Sequence, residues 1–217
     1  ADGFQERSPG ANWTAGAPSG QEPDGSDPGD WLYLGWSRSL PVVLDLHDSS
    51  SSTPTVVTLA VPPEHTVEAE ALARVRFRNL RVGVVTCPRG TPLNAALGGV
   101  DLAHLSRVVV FVQHRADGTP SDADTLLARL QLADLLAQRP SNAPTPVVVT
   151  ELVDERFRSM VPDDLARTMV VGSRVVALML AQLSDAPELL EVYTQLLDVG
   201  GCQPVPRPAS CYLAERD

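Results

Sequence analysis

The sequence predicts an α/β protein: a Rossmann-like, doubly wound parallel sheet of about six strands, then a crossover helix pair and a short C-terminal extended segment. Short β-branched runs with almost no charge recur along the chain, the pattern of strands covered on both faces. Amphipathic helical stretches alternate with them, as βαβ units require. The 217 residues are 43% hydrophobic and 20% charged, enough apolar material for one domain of ordinary size.

Residues 1–30 hold six Gly, four Pro and three Ser with almost no aliphatic side chains, so they read as a tail or linker, with Trp13 its largest apolar residue. The folded part divides into a Rossmann-like lobe over 31–172 and a helix pair with a terminal strand over 173–217. WLYLGW at 31–36 is the first strand. The helix after it starts close to Arg38, with Ser37 as a candidate N-cap, because Pro41 fits only a first turn. The serines at 49–52 form a loop into the uncharged strand 55–61. A helix follows over 64–76 with Thr66 as a candidate cap, then a strand over 80–87 and a short helix over 91–100 closed by Gly98 and Gly99. Residues 107–113 form the fourth strand. The clearest helix spans 121–138: Ser121 or Asp122 caps it, acids occupy its first turn, and leucines from Leu126 to Leu136 recur at helical spacing. A fifth strand spans 145–152, a short helix 154–161, and a short sixth strand lies within 166–173. Helices over 173–184 and 186–201 follow, and the Pro-interrupted end is extended.

Composition excludes several functions. All 17 basic residues are arginine, so a Schiff-base lysine, a phosphate-loop lysine and a lysine general base are ruled out. The net charge of −10 argues against nucleic-acid binding, which needs a basic face. Cys87, Cys202 and Cys211 lack CxxC spacing, which removes a zinc ribbon and favours a reduced setting; pairing of Cys202 with Cys211 stays open. No stretch approaches the roughly 18 apolar residues of a membrane span, so the sequence reads as a soluble piece without direct membrane insertion. A start at Ala1, without Met or a basic, apolar leader, reads as a processed protein or an excised fragment.

The first strand-to-helix turn decides whether a dinucleotide binds. G-x-G-x-x-G is needed there, because only glycine lets the backbone and helix N-terminus approach a pyrophosphate. This chain offers Gly35, Trp36, Ser37, Arg38, Ser39 and Leu40, with the first glycine alone in place. The second strand ends in Ala60, Val61, Pro62 and Pro63, where an acid would hold ribose hydroxyls, and Glu64 arrives late. Both halves of the fingerprint are degraded, which argues against NAD in its usual mode. An indole and aliphatic side chains are expected to plug this crevice. Gly35, Trp36, Ser37 and Arg38 remain the candidate ligand-binding turn. Arg38 either holds a different anion or pairs with a surface acid. There is no G-x-S-x-G, and His47, His65, His104 and His114 read as surface or helix-end residues. Glu151, Asp154 and Glu155 follow the fifth strand at the ligand-prone edge. Oxygen ligation of a cation such as Ca²⁺ and pairing with Arg156 and Arg158 explain them equally well.

In the order of its motifs, the chain from 31 to 217 resembles the regulatory RCK-type (TrkA-N-like) domains of the Castor/Pollux family of ion channels and their bacterial relatives. Leu34 to Arg38 resembles a G-W-x-R turn that stands in place of the dinucleotide fingerprint. Asp122-Ala123-Asp124 with its leucine-rich helix, Val149 to Arg156, Met169 to Ser173, Leu178 to Ser184 and the closing Cys211-Tyr212-Leu213 complete the likeness. The chain departs from the pattern at Val61, where relatives often carry an acid. The resemblance implies a non-enzymatic module on the cytoplasmic side of the cell membrane. It would assemble with copies of itself into a gating ring on the pore of a cation channel, of the same polypeptide or complex. A ligand, often Ca²⁺ or a nucleotide, would favour one arrangement of lobes. Leu180, Leu183, Leu189 and Leu196 are then interface residues, because the last two helices hold more apolar side chains than one sheet-facing stripe needs; a core role for both helices is the alternative. The competing functions are a free-standing Trk-like potassium-uptake subunit and a nucleotide-dependent Rossmann oxidoreductase.

Overall fold

Strand β1 (Asp30–Leu34) buries nearly all of its side chains, and the remaining strands are arranged around it. The computed structural model describes residues 29–115 and 117–198. Nearly all of the 1–30 stretch, with Trp13, lies outside those residues, as do Cys202, Cys211 and the extended C-terminal segment. After β1 come α1 (Leu40–Ser50), β2 (Thr55–Val61), α2 (Thr66–Ala73), β3 (Leu80–Thr86), α3 (Leu93–Ala96), β4 (Leu105–Val110) and α4 (Asp122–Ala137). Then follow β5 (Val147–Leu152), α5 (Glu155–Arg158), α6 (Asp163–Ala166), β6 (Met169–Val171), α7 (Gly172–Asp185) and α8 (Leu189–Leu197).

The six strands form one sheet in the order β3-β2-β1-β4-β5-β6. Every pairing is parallel. The predicted doubly wound fold is therefore the observed one. Alternate residues of each strand feed opposite layers. Trp31, Tyr33, Val57, Leu59 and Val61 pack under α1 and α2 with Leu40, Leu44 and Ala69. Leu32, Leu34, Ala60, Val108, Val110 and Val148 pack under α3 and α4 with Leu93, Leu97 and Leu132. Each fully buried leucine contributes about 1.5–3 kcal/mol relative to exposure.

Several boundaries differ from the sequence reading, for local reasons. β1 stops at Leu34 because Gly35 turns the chain at φ +98°. α1 starts at Leu40; the Ser37 hydroxyl does not cap it but accepts the Ser39 N–H at 3.2 Å. α1 then runs on through Ser49 and Ser50, whose hydroxyls donate back to the Asp45 and His47 carbonyls. Thr66 lies inside α2 and meets the Thr86 hydroxyl at 3.3 Å, while a 3₁₀ turn covers Pro63–His65. The turn α6 was not foreseen; it brings Leu165 against Leu152, Met169 and Val171, beside Phe157.

His47 lies in the last turn of α1, a helix-end position as expected, but it is half-buried. It bonds the Tyr33 hydroxyl, and the Trp31 ring meets it edge-on at 4.6 Å. Burial, then the Arg107 charge, pulls its pKa down, so it is neutral at pH 7. Asp48 clamps the entry to β3. Its carboxylate accepts the N–H groups of Arg78, Asn79 and Leu80 at 2.8, 2.6 and 3.1 Å. Burial alone would raise this carboxyl, but the three amides and the Arg78 charge hold it below its ordinary value.

A depressed carboxylate stabilises the fold above its unfolded pKa of about 3.9, and that contribution is lost as pH falls through the lower folded value. Urea titrations should therefore show Asp48→Ala losing about 2 kcal/mol at pH 7. The deficit relative to the parent chain should shrink as pH drops below about 4. A constant deficit down to acid pH would contradict the clamp.

Candidate functional site

Strand order reverses at β1, with β2 on one side and β4 on the other, so the carboxyl ends of these strands diverge above the sheet. Ligands of open α/β sheets bind at such points. A cavity of about 440 Å³ opens there, within the usual range for small-molecule sites. Its walls come from the loops after β1, β2, β3 and β4 and from the first half of α4.

The turn after β1 is shaped by Gln113. The side-chain amide of Gln113 donates to the carbonyls of Phe111 at 2.9 Å and Leu34 at 3.5 Å, stitching the ends of β4 and β1 together. A Cβ on Gly35 would lie 2.4 Å from Gln113 Nε2 and 3.3 Å from the Phe111 carbonyl. Gly35 is thus required both by its φ of +98° and by this close approach. The Gln113 main chain is held in turn: its N–H donates to Thr125 Oγ1 at 2.9 Å, and its carbonyl accepts the Ser121 N–H at 2.8 Å.

Trp36 does not fill the cavity. It packs against the α1–α2 layer and stacks on His65, ring centroids 5.1 Å apart and 14° from parallel. The two rings form one wall, and His65 Nδ1 is buried there without a partner. The plug expected at the crevice is therefore an amide at the switch point, and the space beside it stays open. Ser37 and Arg38 do not line that space. Arg38 is exposed and makes no ion pair among the described residues, so the surface acid expected beside it is absent there.

Arg89 ties the rim. Its Nε–H donates to the His114 carbonyl at 3.0 Å, and its Nη2 bonds Glu64 Oε1. One guanidinium thereby links the loops after β2, β3 and β4. The pair is about 40% exposed, so its net contribution is small, about 0–1 kcal/mol. Cys87 also lines the cavity, and burial pushes its thiol pKa up. A protonated thiol is a poor nucleophile. The arrangement suits binding: a stacked aromatic wall, a mostly apolar lining and a guanidinium at the mouth.

Glu151, Asp154 and Glu155 lie beyond this cavity. Asp154 caps α5 by accepting the Arg156 N–H at 2.9 Å and holds the Arg156 guanidinium at 2.8 and 2.5 Å. Glu155 pairs with Arg174 at 2.9 Å and Arg158 at 3.5 Å. Among the described residues, no three His, Cys, Asp or Glu side chains gather as a metal site. Asp122, offered as a cap, does something else. Its buried carboxylate accepts the N–H groups of Val153 and Asp154 at 2.9 and 2.8 Å, while Ser121 is the N-cap of α4. Leu180 and Leu196 are exposed, at 62% and 37%, and Leu183 and Leu189 are half-covered.

Sequence reasoning missed Gln113 and Arg89. A signal existed for Arg89, since Pro88-Arg89-Gly90 follows a strand at the ligand-prone edge and Gly90 takes a φ of +75°. None existed for Gln113, whose role depends on the neighbouring strand. The chain matches no protein-family model and no curated protein.

Gly35→Ala should destabilise the chain by about 1–3 kcal/mol in urea unfolding. Adding Gln113→Ala should recover part of that loss, leaving the backbone strain. Alkylation of Cys87, followed by mass spectrometry in a Cys202→Ser, Cys211→Ser chain, should be slower at pH 8 than for an exposed cysteine, and should accelerate only at higher pH.

Proposed function

We propose that this chain is a cytosolic regulatory module of a Castor/Pollux-like cation channel, self-assembling into a gating ring and carrying a ligand crevice above β1–β4. The observation that supports it most is the state of the last two helices. Neither α7 nor α8 contains a buried residue. Val176, Leu178, Leu180, Leu190 and Leu197 are all more than half exposed. Exposed apolar side chains gathered on one helix pair favour an association site. A second copy presents the same helices, so a symmetric pairing covers both at once.

The crevice fits the same reading. Its turn lacks the packing glycines of a dinucleotide site, and Gln113 occupies the place where β1 and β4 part. A ligand in the remaining cavity would touch Arg89 and so act on three loops together. Such a ligand shifts the ring only as far as it binds one arrangement better than the other. None of the described helices is long and apolar enough to cross a membrane, so in this reading the pore is supplied by another segment or subunit.

Sedimentation velocity tests the assembly. The parent chain should form dimers or larger species at micromolar concentration, and Leu180→Asp with Leu196→Asp should sediment as a folded monomer with unchanged far-UV circular dichroism. A monomeric parent chain, or a variant that assembles as the parent does, would overturn the reading.

A further inference from the structure

The amino edge of the sheet, at the opposite ends of the strands from the crevice, holds a second cavity of about 450 Å³. The last turns of α4 and the loop leading into β5 line it. Two arginines line it and no acidic residue does. In a chain of net charge −10, that is an unusual local balance.

Arg129 is 8% exposed. Its Nε is fully buried without a hydrogen-bond partner, and the guanidinium makes no ion pair among the described residues. Asp164 acts on it only from a distance. Burial accordingly weakens its hold on the proton, with Asp164 opposing in part. Arg139 is pinned beside the entrance to β4. Its Nη2 donates to the carbonyls of Ala103 at 2.7 Å and Leu105 at 3.3 Å, while its Nε is buried and unpartnered. A buried cation without a counter-ion is strongly unfavourable, and proteins normally pair it or let it hold an anion. Guanidinium forks match the oxygens of a phosphate. Ser141 and Thr145 add hydroxyl groups to the lining.

We propose that this cavity is an anion site for the phosphate group of a small phosphomonoester, with Arg129 and Arg139 as its two guanidinium ligands. The size of the cavity favours an organic phosphate over the bare ion, since it falls in the range of small-molecule pockets, about 300–1,000 Å³. The site is separate from the crevice and does not depend on the channel reading.

The test uses the full chain with ¹⁵N-labelled arginine. Nε–H resonances are followed during titration with inorganic phosphate, with ribose 5-phosphate and with sodium chloride at matched ionic strength. Arg129→Lys and Arg139→Lys assign the two signals. Saturable shifts of both signals with ribose 5-phosphate, absent with chloride and weaker with inorganic phosphate, are expected. Arg129→Gln should weaken binding by about tenfold or more, the worth of a charge-assisted hydrogen bond. Its midpoint in anion-free buffer should equal or exceed that of the parent chain. Three results would each overturn the proposal: no saturable shift beyond the chloride control, inorganic phosphate binding as tightly as the ester, or an Arg129→Gln chain that is unfolded or less stable without anion. The last would make Arg129 a structural residue.

Discussion

Burial of β1 on both faces and along both edges is the constraint from which the rest of the structure follows. Trp31 to Leu34 supply side chains to two different helical layers, and the same four residues pair with β2 on one side and β4 on the other. A strand so placed leaves almost no backbone group for water, and both of its neighbours run parallel to it. Parallel neighbours need crossovers, and right-handed crossovers put α1 and α2 on one face and α3 and α4 on the other. The divergence of strand ends beyond Leu34 is then a topological result. A cavity at that edge needs no special sequence; its lining does.

That separation explains what could be read from the amino acids. Strands and amphipathic helices are written locally, as uncharged β-branched runs and leucines at helical spacing. β2 and α4 accordingly appear almost where their patterns put them. The start of α1 was misread because Ser37 finds a nearer donor, the Ser39 N–H, than a helix end. The role of Asp122 was misread because its partners, Val153 and Asp154, are about thirty positions away in sequence. Gln113 and Arg89 act across strands in the same way. Side chains that join distant segments carry no periodic signature, and a site assembled at the ends of several strands consists mostly of such side chains.

The two cavities differ in how their charges are managed. At the crevice Arg89 already has Glu64, a carboxylate that an incoming anion would have to displace. At the amino edge Arg139 has two carbonyls, and Arg129 has only the more distant charge of Asp164. The α7–α8 pair differs again, with several large apolar side chains left exposed. α4 contributes to both cavities.

The bonds made by Asp122 bear on how movement would spread. Its carboxylate fixes the first turn of α4 to the peptides of Val153 and Asp154, and the Val153 carbonyl accepts the Ser173 hydroxyl at 3.1 Å. Arg174, the next residue of α7, is moored to Glu155. Four contacts thus lie between the helix that walls the crevice and the first residues of α7. Loss of the Asp122 carboxylate would therefore leave the peptide N–H groups of Val153 and Asp154 unsatisfied at the same time as it loosened the first turn of α4.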